Sequence, residues 1–236
     1  MKKLIKKPFN GLVDLIFPEK NSCLICGYWD ETIGEDYICK ECLYSFKNIK
    51  PNNCKICSKP LIASGEICIE CIEEPKSFKK IYSPYKYEGL IRDVIKDYKY
   101  NNKPYYYKML GELLYKHIKN YDINVDIISF VPLHKNKKRK RGYNQSELMA
   151  KYLEKKLNIP CERLMERRVD TKAQNQLKRE DRVNNLKNTF FAVKHLKNKN
   201  VLIVDDVYTT GTTINECSKS LLKVEVKNIY GLTLAR

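Results

Sequence analysis

Eight of the ten cysteines stand in four C-x2-C pairs: Cys23–Cys26, Cys39–Cys42, Cys54–Cys57 and Cys68–Cys71. Twelve residues separate the first two pairs, and ten separate the last two. The turn inside such a pair aims two sulfurs at one ion, and two turns complete a tetrahedral four-sulfur site. Segment 21–75 has few large aliphatic side chains, so a metal must replace a core too small to hold itself together. Zinc suits these ligands. Four sulfurs per ion leave no open position for water, which makes the role structural rather than catalytic. The competing reading is a disulfide framework, which a chain without a secretory signal does not favour. A redox C-x-x-C needs a strand–helix setting, and four repeats argue against it. Sequential pairing, first with second and third with fourth, is the simplest arrangement. An interleaved arrangement or a single occupied site are the alternatives. Cys161 and Cys217 stand apart and read as buried or idle thiols.

The rest of the chain differs in character. The 236 residues allow one or two domains, and 43% apolar residues can bury a core. The net charge is +17, but segment 21–75 carries −4 before any thiolate is counted and 76–236 carries +18. A polyanion would therefore meet the C-terminal two thirds. Abundant Lys, Asn, Ile and Tyr are also what AT-rich codons produce, so bulk charge alone does not decide the partner. No apolar run approaches the roughly 18 residues of a membrane helix. Met1–Lys7 is basic, yet Asp14 interrupts the short apolar run after it and no small-residue cleavage site follows. The expectation is a cytoplasmic chain with no membrane span.

The most informative stretch lies near the C-terminus: Val201-Leu202-Ile203-Val204-Asp205-Asp206-Val207-Tyr208-Thr209-Thr210-Gly211-Thr212-Thr213. Four consecutive apolar residues predict a strand buried on both faces, as in a parallel sheet. Two carboxylates follow, then a loop of hydroxyl residues around one glycine, opening into a helix at about Thr213–Leu222. A loop entering a helix N-terminus offers unpaired amides and the positive end of the dipole. Threonine hydroxyls add donors, and Gly211 lets the backbone approach an anion. Carboxylates beside that seat accept hydrogen bonds from vicinal hydroxyls, as on a ribose. Phosphate seat plus diol reader describes a ribose 5-phosphate site. The bland alternative is a capped helix beside two solvated aspartates.

Those thirteen residues look like the phosphoribosyl pyrophosphate (PRPP) motif of type I phosphoribosyltransferases. Other motifs narrow the resemblance. Arg141-Gly142-Tyr143-Asn144-Gln145 resembles the RGFNQ signature of the ComF family, with Tyr for Phe, and follows Val131-Pro132-Leu133-His134, which matches that family's VPLH element. Gln174, Leu177, Arg182, Asn185 and Phe190 match its pattern upstream of the PRPP strand. Its paired C-x2-C motifs and a leucine-rich lead-in ending in proline, here Leu12–Pro18, complete the match. The resemblance runs over almost the whole chain.

It implies an α/β fold: a type I phosphoribosyltransferase-like parallel sheet flanked by helices, preceded by a small four-cysteine-type zinc-binding module resembling a double zinc ribbon. The expected division is a lead-in helix over 1–20, the zinc module over 21–75 and the phosphoribosyltransferase-like domain over 76–236. Strands are expected at Ile81–Tyr87 and Val125–Val131, with Thr189–Val193, Val201–Asp205 and Lys227–Leu234 completing the sheet. Helices are expected at Leu90–Tyr98, Pro104–Ile118 and Ser146–Leu157. The polar stretch Asp170–Asp181 stands about where such enzymes carry a mobile loop that closes over the reaction.

The resemblance also implies roles. Asp205 and Asp206 would be the catalytic pair holding the ribose hydroxyls of PRPP. Thr209, Thr210, Gly211, Thr212 and Thr213 would hold its 5-phosphate, and Mg²⁺ would accompany the pyrophosphate. Pro132–Gln145 reads as the pyrophosphate loop. It carries Lys135, Lys137, Lys138, Arg139, Lys140 and Arg141, a density that suits pyrophosphate or a nucleic-acid backbone. Asn144 and Gln145 end the same segment. No base-reading hood is recognisable. Proteins of this family take part in DNA uptake, helping single-stranded DNA into the cytoplasm beside a helicase-like partner, ComFA. The first expectation is thus a DNA-uptake factor with a PRPP site that binds single-stranded DNA. The alternatives are an active phosphoribosyltransferase with an unidentified acceptor, and a zinc adaptor that senses PRPP.

Overall fold

The computed structural model describes residues 21–61, 65–168 and 189–236. The lead-in 1–20 and the stretch Asp170–Asp181, with Gln174, Leu177, Arg182 and Asn185, lie outside the described residues.

Two short helices, α1 (Lys40–Tyr44) and α2 (Ile69–Glu73), each begin directly after a cysteine of a C-x2-C pair. The α/β part follows: β1 (Lys80–Tyr82), α3 (Gly89–Tyr100), α4 (Tyr107–Ile118), β2 (Ile127–Phe130), α5 (Lys135–Arg141), α6 (Gln145–Leu157), β3 (Met165–Arg167), β4 (Phe190–Ala192), β5 (Asn200–Val207), α7 (Thr212–Leu222) and β6 (Asn228–Ala235). The main sheet has the order β1-β6-β5-β2, and all three pairings are parallel.

The apolar run of β5 is continuous because both faces are covered. Leu202 and Val204 join the buried cluster formed with α3, α4 and α6. Val201 and Ile203, pointing the other way, join a second cluster with Ile214, Cys217 and Leu221 of α7. This period-2 split makes three layers, helices on sheet on helix. The cysteine-rich segment contributes to both. Cys23 and Cys39, with Ile33, Tyr37 and Phe46, extend the first cluster. Cys54, Cys57, Cys68 and Cys71 belong to the second.

Three expectations need correction. First, Thr189–Val193 does not complete the main sheet. Phe190–Ala192 pairs antiparallel with Met165–Arg167, a strand not expected at all, in a separate two-stranded sheet. Second, the basic run is not a loop. Lys135–Arg141 is a helix whose N-cap His134 accepts from the Asn136 amide at 3.3 Å, and whose C-cap Gly142 sits at φ 83°, the left-handed position that favours glycine. Third, the strand expected over Ile81–Tyr87 ends at Tyr82; beyond it Tyr85 makes isolated bridges to Ala235 and to Asn48. The β5 strand also runs further than expected, through both aspartates to Val207.

Candidate functional site

The cysteines form two compact clusters, Cys23/Cys26/Cys39/Cys42 and Cys54/Cys57/Cys68/Cys71, with all sulfurs of a cluster within 4.8 Å of one another. The pairing is sequential. A Zn–S bond of about 2.3 Å in a tetrahedron sets sulfurs about 3.8 Å apart. The Sγ separation of Cys26 and Cys39 is 3.7 Å, and that of Cys57 and Cys68 is 3.6 Å. The residues therefore fit structural zinc. Burial opposes ionisation of Cys54, but backbone donors, including the Cys68 amide 3.3 Å from its sulfur, bring it down to about 7. Cys23 is lowered to about 7 by the same balance of burial against amides. Burial pushes the Cys39, Cys42, Cys57 and Cys71 thiols up, so only the charge of a bound ion would hold all four sulfurs of a cluster as thiolates.

The second feature is a cavity of about 730 Å³ at the C-terminal end of β5, within the size range of small-molecule sites. It is lined by Asp205, Asp206, Thr209, Thr210, Gly211 and Thr213 on one side, and by Lys137, Arg139, Lys140, Arg141 and Gln145 on the other. Ligands of open α/β sheets bind at this end of the strands.

The aspartates are positioned individually. Asp205 Oδ1 accepts from Ser146 Oγ at 2.9 Å and from the Asp206 amide at 2.9 Å. Asp206 Oδ2 accepts from Gln145 Nε2 at 2.8 Å, and its Oδ1 pairs with Lys99 Nζ at 2.7 Å. Both carboxylates are buried. Burial first, then the charge of Asp206, raise the Asp205 carboxyl to about 7, against the opposing pull of Lys99. Burial works against the Lys99 ammonium, yet Asp206 and Asp205 hold its pKa above the ordinary lysine value.

The loop after β5 turns on Gly211. It is the N-cap of α7 at φ 78°, and a Cβ there would lie 2.1 Å from Tyr208 Oη. Only glycine supplies both the left-handed backbone and the missing side chain. Thr210 and Thr212 hydroxyls lie 2.9 Å apart across the turn. As at any helix start, the first-turn amides of α7 make no intrahelical bonds, and they face this end of the fold.

The structure also separates residues that the sequence grouped. Asn144 does not line the cavity. It is the buried N-cap of α6, accepting from Ser146 N and donating to Val131 O, both at 3.1 Å. Among the expected phosphate-loop residues, Thr212 stands back from the cavity lining, as do Lys135 and Lys138 of the basic run. Lys138 instead pairs with Glu147 at 3.1 Å. Tyr87 and Tyr100 line the cavity, and Lys99 and Ser146 are the residues that the sequence does not single out. Lys99 and Tyr100 end α3, and Arg141 stacks over the Tyr100 ring at 5.4 Å. No local pattern marks them, because the tip of α3 reaches the acids only through packing across layers.

Residues 12–72 match a double zinc ribbon domain, and residues 99–236 match a phosphoribosyl transferase domain. The fold and site thus define a phosphoribosyltransferase-type α/β protein with a double zinc ribbon. Competence protein F of Haemophilus influenzae is 30% identical over 86% of this chain and 92% of its own. Competence protein ComFC of Bacillus subtilis is 23% identical over 86% and 85%. DNA utilization protein YhgH of Escherichia coli is 27% identical over 85% and 87%. The chain belongs to the ComF family. Among the described residues, no helix is long and apolar enough to cross a membrane.

Proposed function

We propose that this protein binds PRPP with Mg²⁺ in the β5 cavity and acts in DNA uptake on the cytoplasmic side, engaging single-stranded DNA through α5. One observation carries the reading: a single cavity brings together the acid pair, the Gly211 loop and four cations of α5. The competence and DNA-utilization names of the relatives point the same way. In this reading 21–75 is the zinc-stabilised module and 76–236 the ligand-binding domain.

The residues divide the ligand among them. The amides and hydroxyls of Thr209–Thr213 take the 5-phosphate at the N-terminus of α7. Asp205, with Oδ1 fixed by Ser146, turns its second oxygen to a ribose hydroxyl. Asp206 is anchored by Lys99 and Gln145, so its charge faces a developing positive centre without moving. Lys137, Arg139, Lys140 and Arg141 take the pyrophosphate, or the DNA backbone phosphates where no PRPP occupies the cavity. Asp206 fits Mg²⁺ poorly as a direct ligand, because Lys99 and Gln145 already engage both of its oxygens. Mg²⁺ bound together with PRPP would supply charge neutralisation beside the cations of α5.

A second reading is turnover, with PRPP transferred to an unidentified acceptor. The complete acid and phosphate elements favour it. Incubating pure protein with PRPP, Mg²⁺ and a panel of bases and oligodeoxynucleotides, while following pyrophosphate release, separates the two. Release with one acceptor selects turnover; none selects the binding role. DNA engagement is tested by neutralising Lys135, Lys137, Lys138, Arg139, Lys140 and Arg141 to Gln. The slope of log affinity for oligo-dT against log salt should flatten by up to about 4, at about 0.7 for each phosphate no longer neutralised. An unaltered slope removes α5 from the DNA interface.

A further inference from the structure

The two cysteine clusters are alike in chemistry but not in what they touch. The first packs with Tyr37 and Phe46 on the α4 side of the sheet. Its neighbourhood is tied to the helices by ion pairs, Lys156 to Glu35 at 3.1 Å and Lys116 to Asp36 at 2.5 Å. None of these groups lines the cavity.

The second cluster lies under the phosphate loop. Cys54, Cys57, Cys68 and Cys71 share one buried cluster with Phe78, Tyr208 and Ile214. Tyr208 stands in the loop sequence itself, two residues after Asp206. The residue is 3% exposed, and its ring packs edge-on against Phe78 at 6.1 Å. The Arg236 guanidinium covers it at 5.2 Å, and its amide donates to Ala235 O at 2.9 Å. Its hydroxyl end reaches the Gly211 α-carbon so closely that no side chain fits there. The loop therefore rests on this ring.

The same module grips the elements on either side. In the Cys54–Cys57 turn, Ile56 O accepts from the Ile81 amide at 2.7 Å, and Ser58 Oγ donates to Ile81 O at 2.6 Å. Ser77, between the module and β1, donates its amide to Asn215 Oδ1 at 2.8 Å, and the Asn215 amide donates to Gly211 O at 2.9 Å. A small module whose fold depends on metal thus forms one wall beneath the loop.

We propose that the second cysteine cluster, and not the first, positions the phosphate loop, with Tyr208 as the positioning residue between them. Metal at this cluster stiffens the loop, and the loop in turn holds the metal, because coupling between two sites is reciprocal. The inference rests on the PRPP reading only for ligand affinity; the three remaining readouts need no ligand.

The test uses the full chain with Cys71→Ser, Cys42→Ser and Tyr208→Ala, read by hydrogen exchange of amides 208–213, zinc content, zinc transfer to a chromophoric chelator, and calorimetry with ribose 5-phosphate. Cys71→Ser should accelerate exchange at 208–213 by about tenfold or more and lower ribose 5-phosphate affinity by a similar factor. Cys42→Ser, losing one zinc likewise, should leave both within about twofold. Tyr208→Ala should loosen the loop and speed transfer of one zinc of two, as reciprocity requires. Unchanged exchange in Cys71→Ser, or an equal effect from Cys42→Ser, overturns the proposal. Should Cys71→Ser fail to fold, Tyr208→Ala decides alone: unaltered zinc transfer overturns it. If the wild type binds no ribose 5-phosphate while the exchange pattern holds, the PRPP reading fails and this one stands.

Discussion

Replacing Asp205 with Asn should stabilise the ligand-free protein, and do so more at high pH than at low. The Asp205 carboxyl is raised from 3.8 to about 7, first by burial and then by the neighbouring Asp206 charge. A raised carboxyl pKa means that the folded state holds the proton more tightly than the unfolded state. The unfavourable contribution is absent below about pH 4, grows as pH climbs toward 7 and is constant above it. At about 1.4 kcal/mol per pKa unit the ceiling is ~4 kcal/mol. The pull of Lys99 is already contained in that value, but burying the Asn amide in place of the carboxyl takes back part of the ceiling, so roughly 2 kcal/mol is the expected gain at pH 8. Asn keeps an acceptor for Ser146 Oγ and the Asp206 amide, so the hydrogen bonds survive the change. For a chain of this size that corresponds to a melting midpoint raised by about 4–8 °C. Thermal unfolding of wild type and Asp205→Asn at pH 8 and pH 5 measures it, and at pH 5 the gain should be less than half as large. A variant less stable at pH 8, or a gain independent of pH, would refute the electrostatic account of the site. Such a gain at the expense of ligand binding is the usual signature of a functional group.

Three further outcomes are expected. Gly211→Ala should lower PRPP affinity more than tenfold by calorimetry, since the new methyl meets Tyr208 Oη in a left-handed backbone that costs it about 1–2 kcal/mol; binding within twofold of wild type would contradict the loop geometry. Lys99→Met should destabilise the protein by about 3 kcal/mol in urea unfolding at pH 8, because it strands a buried carboxylate, and Asp206→Asn in the same chain should restore most of the loss. Metal analysis of freshly purified protein should find about two zinc per chain; substoichiometric zinc with oxidised cysteines would count against both clusters.

Much of the site was legible because the pattern was local. The apolar run, the acids and the Gly211 loop lie within thirteen residues, and the C-x2-C pairs declare their chemistry by spacing alone. What failed was relational. The β-propensity of Phe190–Ala192 marks a strand but not its partner, so a separate antiparallel pair passed for an addition to the main sheet. The basic run read as a loop because it has no apolar stripe. Its signals were the good helical propensity of Lys and Arg and a glycine directly after Arg141. Asn144 passed for a ligand residue, although Asn before a helical segment is a capping signal. Lys99 lay beyond reach: it is far from Asp206 in the chain, and only the packing of α3 against the sheet unites them.

The central claim is that the acid pair and the Gly211 loop grasp a phosphorylated ribose. Calorimetric titration with PRPP and Mg²⁺ tests it most directly, comparing wild type with the Asp205→Ala/Asp206→Ala double variant. One ligand per chain should bind to the wild type, and binding should vanish in the variant while both zinc ions and the far-ultraviolet circular dichroism spectrum persist. Equal affinity in the two proteins would contradict it.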